Sequence, residues 1–300
     1  MKWLADYITE FGIDGYRVDT VKHTEEFVWE EFEDVCEAAF GEWKENNKDQ
    51  VLDDSPFYLV GEVYNYSVNS NKYYDFGDKK VDYFNDSFNA LINFDLRWDG
   101  DRPLEAIYSA YSNILNNELD GYSTLSYISS HDDGSPFDKE RKRTYESAIR
   151  LLLAPGAAQI YYGDESARSL LIDGTNGDAT LRSNMNWEAI ASDEETQKLL
   201  KHWQKLGKFR QAHPAIGAGV HQMLNEAPYT FTRTWSSGDY KDKVLIGLDL
   251  NAGPKKIAVA GTFEDGTLLY DGYSDQEVQV ENGEVLIDSE FSTILLAPKK

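Results

Sequence analysis

The sequence predicts an α/β fold with a parallel sheet, followed by an all-β antiparallel domain. Two observations carry this. Over roughly the first two-thirds of the chain, short β-like runs alternate with stretches whose apolar residues recur three and four apart, the order expected of a parallel sheet. From about residue 215, strand-like runs follow one another with only turn signals between them.

Residues 1–11, "MKWLADYITEF", place Trp3, Leu4, Tyr7, Ile8 and Phe11 at helical spacing. Asp6 and Glu10 interrupt the apolar run that a signal peptide needs, so an amphipathic helix is expected and no signal peptide. Strand-like runs follow at 12–20, 57–63, more weakly at 81–86, at 123–132 and at 157–165. Helical patterns at 24–40, 102–117 and 138–154 separate them. A further helix is expected over 194–213, after which "YTFTRTW", "KVLIGLDL", "KKIAVAG", "GTLLYDGY" and "EVQVENGEVLID" read as strands, the last a hairpin about Asn282-Gly283. The domain boundary is therefore placed at Pro214, giving 1–213 and 214–300.

A chain of 300 residues with a formal charge of −24, from 53 acidic against 29 basic side chains, repels phosphate backbones and anionic lipid head groups. Nucleic acid and membrane surfaces are not expected partners, and no window approaches a spanning length of apolar residues. The single cysteine, Cys36, excludes an intrachain disulfide and leaves the compartment open.

The chemistry concentrates at strand ends. In "GIDGYRVDTVKH" (12–23), alternation puts Gly15, Arg17 and Asp19 on one face and Tyr16 and Val18 on the other. If Tyr16 and Val18 meet the helices, Arg17 and Asp19 face inward at the carboxyl end of the strand, with Arg17 keeping Asp19 ionised. A structural ion pair closing the strand is the competing reading. Glu62 ends the apolar run "FYLVGEV", where Val60, Val63 and Tyr64 would raise its pKa toward that of a general acid. A third carboxylate stands in "SSHDD", with His131, Asp132 and Asp133. Two carboxylates about 5 to 5.5 Å apart carry out retaining glycoside hydrolysis, one as nucleophile and one as acid and base.

"GYRVDTVKH", "LVGEV" and "SSHDD" resemble three sequence regions of glycoside hydrolase family 13, the α-amylase family. "PGAAQIYYGDE" resembles its last barrel strand and "GDATLRSNMNW" the loop beyond it. The likeness runs over residues 1 to about 215, and the antiparallel remainder resembles the family's carboxy-terminal sandwich. It implies strands four to eight of a (β/α)₈ barrel, with Asp19 as nucleophile, Glu62 as acid and base and Asp132 as transition-state stabiliser. Arg17 would orient Asp19, His131 would bond the sugar at the cleavage point, and Lys22-His23 would contact the next glucose on the leaving-group side. That pair points to α-1,4-glucans or maltooligosaccharides as substrate.

Two positions depart from the family pattern: Asp133 where Asn is common, and Asn184 where Pro often precedes the methionine. The family's first region, first three barrel strands and inserted loop domain are not matched, so the expectation is an amino-terminally truncated enzyme, inactive as 300 residues alone. Calcium in the family draws on those unmatched segments and on the carbonyl of the residue matching His23. The chain itself is therefore expected to hold no metal, with calcium belonging to a full-length parent. "DGTNGD" (173–178) lacks the Glu that ends an EF-hand loop and reads as a turn-rich loop. Such a parent fits a secreted, periplasmic or cell-surface location.

Tyr64, Tyr66 and Phe137 are either sugar-stacking rings or loop packing, and Trp187 is either a sugar platform or, as expected, mainly core. Beside hydrolysis, the residues allow an α-glucan transglycosidase using the same carboxylates, or a non-catalytic glucan-binding protein that keeps the fold.

Overall fold

Helix α1 (Lys2–Phe11) stops where Gly12 turns left-handed, with φ 63° and its N–H on the Ile8 carbonyl. A side chain at residue 12 would also strike the Trp43 ring at 2.3 Å, so glycine is required twice over. The computed structural model describes residues 1–85, 87–100 and 102–299. They fall into two compact units, one of 1–95 with 118–126, the other of 96–117 with the residues from Tyr127 onward.

In the first unit, α1 is followed by β1 (Gly15–Val18), α2 (Glu26–Asn46) and β2 (Tyr58–Gly61). A short antiparallel hairpin of β3 (Tyr73–Asp75) and β4 (Lys80–Asp82) comes next, then β5 (Ala90–Asn93) and β6 (Ser123–Ser126). Strands β1, β2, β5 and β6 lie parallel in that order. Gly15 sets how closely the first two approach, since a Cβ there would sit 2.3 Å from the Tyr58 carbonyl oxygen. Helix α2 buries Phe32, Cys36, Ala39 and Phe40, one stripe at helical spacing. Tyr16 packs on Phe32 and Phe57 and donates to the Leu4 carbonyl at 2.8 Å, so its face of β1 meets the helices, as alternation requires. Burial pushes the Cys36 thiol up to about 12.

One expectation for this unit needs correction. The weak run at 81–86 is not the third parallel strand: Lys80–Asp82 pairs with β3, and Asp86 lies outside the described residues. The parallel strand is "ALIN" at 90–93, buried at all four positions and so without the alternation that marks a half-exposed strand. Helix α1 is amphipathic, but of its apolar face only Ile8 is buried; Trp3, Tyr7 and Phe11 are exposed.

The second unit contains α3 (Leu104–Leu115), α4 (Thr144–Leu152), the two-residue strand β7 (Ala157–Ala158), α5 (Trp187–Ser192), α6 (Glu194–Ala212) and α7 (Ala215–Ala218). Asp193 caps α6 by accepting from the Thr196 N–H at 2.7 Å. Arg210, near the end of α6, donates to the Leu152 and Ala154 carbonyls at the end of α4.

Eight strands follow: β8 (Val220–Asn225), β9 (Thr230–Ser237), β10 (Tyr240–Gly247), β11 (Gly253–Ala258), β12 (Leu268–Asp271), β13 (Gln276–Gln279), β14 (Glu284–Ser289) and β15 (Ile294–Pro298). They form a six-stranded antiparallel sheet ordered β13-β12-β15-β10-β9-β8 and a two-stranded one of β11 and β14. Leu245, Ile257, Leu269, Val285, Ile287 and Leu296 share the core of these strands. Asn282 and Gly283 are both left-handed, as a two-residue hairpin turn demands, but only the Glu281–Glu284 bridge closes it. The expected hairpin is therefore a corner: β13 pairs with β12 and β14 with β11.

Candidate active site

The first unit gathers five of the seven residues singled out from sequence. Arg17, on the solvent side of β1, sends one terminal nitrogen to Asp19 Oδ1 at 2.6 Å and the other to Glu62 Oε1 at 3.0 Å. One guanidinium thus holds two carboxylates from adjacent parallel strand ends. The second oxygen of Glu62 accepts the Thr20 N–H at 3.1 Å. Thr20 provides that donor from a left-handed backbone with φ 52°, a conformation β-branched residues avoid. The backbone around Glu62 is fixed as well, its N–H on the Val18 carbonyl and its carbonyl on the Val21 N–H.

Glu62 is 6% exposed, while the Asp19 side chain is 65% exposed. The burial expected for Glu62 is present, but its partners are not only apolar: a guanidinium and a backbone N–H both bond its ionised form. Among the described residues β1 pairs on one side only, with β2. A cavity of about 350 Å³ adjoins it, with Arg17 and Asp19 at its rim and Leu4, Tyr16, Trp29 and Phe32 among its walls.

Lys22 is clasped by two tyrosines. Its ammonium donates to the Tyr64 carbonyl at 3.1 Å and the Tyr74 hydroxyl at 2.9 Å, and lies about 5 Å from both ring centres. His23 is exposed beside it. Of the stacking candidates, Tyr64 is 46% exposed, whereas Tyr66 is fully buried with its hydroxyl on the Asn71 carbonyl.

The remaining two residues belong to the second unit. Asp132 accepts from Ser130 Oγ at 3.1 Å and has His131 Nε2 at 3.4 Å from its other oxygen. The His131 carbonyl is held by Arg182 Nε at 2.9 Å, which ties the 177–186 segment to this loop. Asp133 is buried and forms an ion pair with the equally buried Arg97, with the Tyr127 hydroxyl donating to it at 3.0 Å. This accounts for the departure from Asn: a buried guanidinium needs a countercharge. Phe137 packs between Arg143 and Arg150, so its ring serves the fold. Trp187, expected in the core, is 69% exposed.

Several residues here went unnoticed in the sequence. Asp164, in "YYGDE", is fully buried, takes two bonds from Ser129 Oγ at 2.6 Å and pairs with Arg141 at 2.8 Å. Burial raises its pKa, against the pull of Arg141 and Ser129. Thr20 and Tyr74 gave no signal, because one acts through its backbone and the other lies in a loop hairpin.

Among the described residues no three His, Cys, Asp or Glu side chains gather as a metal site. No described helix is long and apolar enough to cross a membrane.

No family model matches the chain. It is 38% identical over 247 residues to the periplasmic α-amylase of Escherichia coli strain K12, covering 81% of this chain and 34% of that protein. It is 24% identical over 314 residues to the α-amylase of Streptomyces lividans, covering 92% and 32%. Among solved structures, the Anoxybacillus α-amylase superposes with a TM-score of 0.65 at 22% identity, covering 100% of this chain and 63% of that one. The α-amylase of Geobacillus thermoleovorans, complexed with acarbose, gives 0.65 at 18% identity, covering 100% and 64%. The chain spans about a third of the length of these curated relatives. The fold is that of part of a (β/α)₈ barrel followed by an antiparallel β domain. The ordered motifs and these relatives agree: the chain belongs to glycoside hydrolase family 13, the α-amylase family.

Proposed function

We propose that the chain carries the nucleophile and the acid and base of a retaining hydrolase of α-1,4-glucans and maltooligosaccharides. The observation that supports this most is the Arg17 bridge, which keeps Asp19 and Glu62 together at neighbouring strand ends. In this reading Asp19 attacks the anomeric carbon while Glu62 protonates the departing oxygen, then deprotonates the water that frees the sugar. Arg17 orients Asp19, and its bond to Glu62 must loosen when that carboxyl carries a proton. Asp132 stabilises the positive charge of the transition state, His131 bonds the sugar at the cleavage point, and Lys22 and His23 meet the next glucose. The Lys22 ammonium near the Tyr64 and Tyr74 rings supports this reading.

The 300 residues alone turn over slowly or not at all, because Asp19 is mostly solvated and, among the described residues, β1 pairs on one side only. Asp19 then lacks the dry, closed surroundings in which electrostatic stabilisation is strong. We place the change of architecture at residue 214, between α6 and β8. The whole protein acts in a secreted, periplasmic or cell-surface setting, a reading supported by the name of the Escherichia coli relative, which calls that enzyme periplasmic.

The test is release of product from a blocked maltooligosaccharide by the chain and by Asp19→Ala. Weak turnover that disappears in the variant supports the reading. Turnover that survives the variant overturns the role of Asp19, and rapid turnover overturns the claim that these residues form an incomplete site. Transfer is a second reading, favoured by likeness to the cyclomaltodextrin glucanotransferase of Geobacillus stearothermophilus, 25% identical over 280 residues. Products longer than the substrate would identify it.

A further inference from the structure

Trp98 stands out among the exposed aromatic side chains of the second unit. It is 54% exposed, and the Arg97 guanidinium carbon lies over its ring, 3.6 Å from the centre. Arg97 itself is 3% exposed and anchored by its ion pair to Asp133 and by Nε donating to the Tyr127 hydroxyl at 2.8 Å. A solvent-facing indole would ordinarily sample several rotamers. Here a buried, paired cation lies over the ring, while the side chain remains half-exposed and is linked through Arg97 and Asp133 to the loop that carries Asp132.

We propose that Trp98 is a glucan-binding platform: its open face stacks on the C–H face of a glucose unit of a chain approaching Asp132. A rigid aromatic plane loses little entropy on binding and matches the apolar face of a pyranose ring. The stacked cation also gives Asp133 a role: the carboxylate holds Arg97, and Arg97 holds the platform. The inference rests on the α-glucan reading for its ligand, and it adds a binding contact outside the seven residues assigned to that reaction.

The experiment is titration of the intact chain with maltoheptaose, followed by intrinsic tryptophan fluorescence and by calorimetry, for the native sequence, Trp98→Ala and Trp98→Phe. Removing the stacking ring is expected to weaken binding about 10-fold. Trp98→Phe should keep affinity within about 3-fold while losing most of the ligand-induced fluorescence change, a signature that a purely structural role would not move. Equal affinity in the native chain and Trp98→Ala overturns the platform, as does an unchanged fluorescence response in Trp98→Phe. Absence of any binding by the native chain contradicts both the platform and the α-glucan reading. The two are separable: turnover that needs Asp19 without an effect of Trp98 on binding sinks the platform alone, and binding that needs Trp98 beside turnover that survives Asp19→Ala sinks the role of Asp19 alone.

Discussion

Arg17 reaches Glu62 at 3.0 Å with the terminal nitrogen that is not already on Asp19, so a single side chain sets the spacing of two carboxylates. A planar fork with donors at fixed separation does this, and a point charge on a flexible stem cannot. Arg17→Lys is therefore expected to lose nearly as much as Arg17→Ala. In steady-state assays of a turnover-competent protein, each should lower kcat on maltooligosaccharides by about 100-fold or more, with KM changed far less. A lysine variant within a few fold of the native rate would show that charge alone suffices.

Asp133→Asn tests why an acid stands where the family commonly has an amide. The substitution keeps the shape but leaves Arg97 buried without its countercharge, and a cost of about 2–3 kcal/mol is expected. Urea unfolding followed by circular dichroism measures it. A change below about 0.5 kcal/mol would place the charge balance of Arg97 elsewhere.

The pH dependence of stability should follow the buried histidines. Burial holds both His202 and His221 below the usual imidazole pKa, the second with Arg233 adding to the effect and Glu105 opposing it. His202 lies between the Tyr273 hydroxyl and the Tyr145 carbonyl, and His221 meets Glu105 at 2.7 Å. A depressed folded-state pKa means that the unfolded chain binds more protons as pH falls through about 6.5, so stability is lost there and regained above it. Asp164 works the other way, since burial raises its pKa and protonation favours the folded form. Thermal midpoints should drop between about pH 7 and 5, and His202→Gln should flatten part of that slope. A midpoint constant over this range would contradict the histidine account.

Much of this was legible in the sequence because period and chemistry coincide. Alternation in "GYRVD" assigns Tyr16 to the helices and leaves Arg17 and Asp19 together, which the packing of Tyr16 on Phe32 and the Arg17 bridge reproduce. The strand at 90–93 was hidden because burial on all sides erases alternation, and its polar neighbours drew attention to 81–86 instead. Asn282-Gly283 announced a turn correctly, but a turn does not say which sheet each arm joins. In the site, the sequence pointed to charges at strand ends yet not to the backbone donor of Thr20 or to the Arg97 cation behind Trp98. The first joins residues 42 apart in the chain, and the second is set by Asp133 and Tyr127, which the fold brings to Arg97.

The central claim is that Asp19 attacks the anomeric carbon of an α-glucan. It is tested most directly by incubating the chain with a deactivated α-maltosyl fluoride, whose fluoride leaves without help from Glu62, and locating the adduct by peptide mass spectrometry. The account predicts one glycosyl ester on the peptide containing Asp19, absent from Asp19→Ala and present in Glu62→Gln. An adduct on another carboxylate, or one that persists in Asp19→Ala, would contradict it.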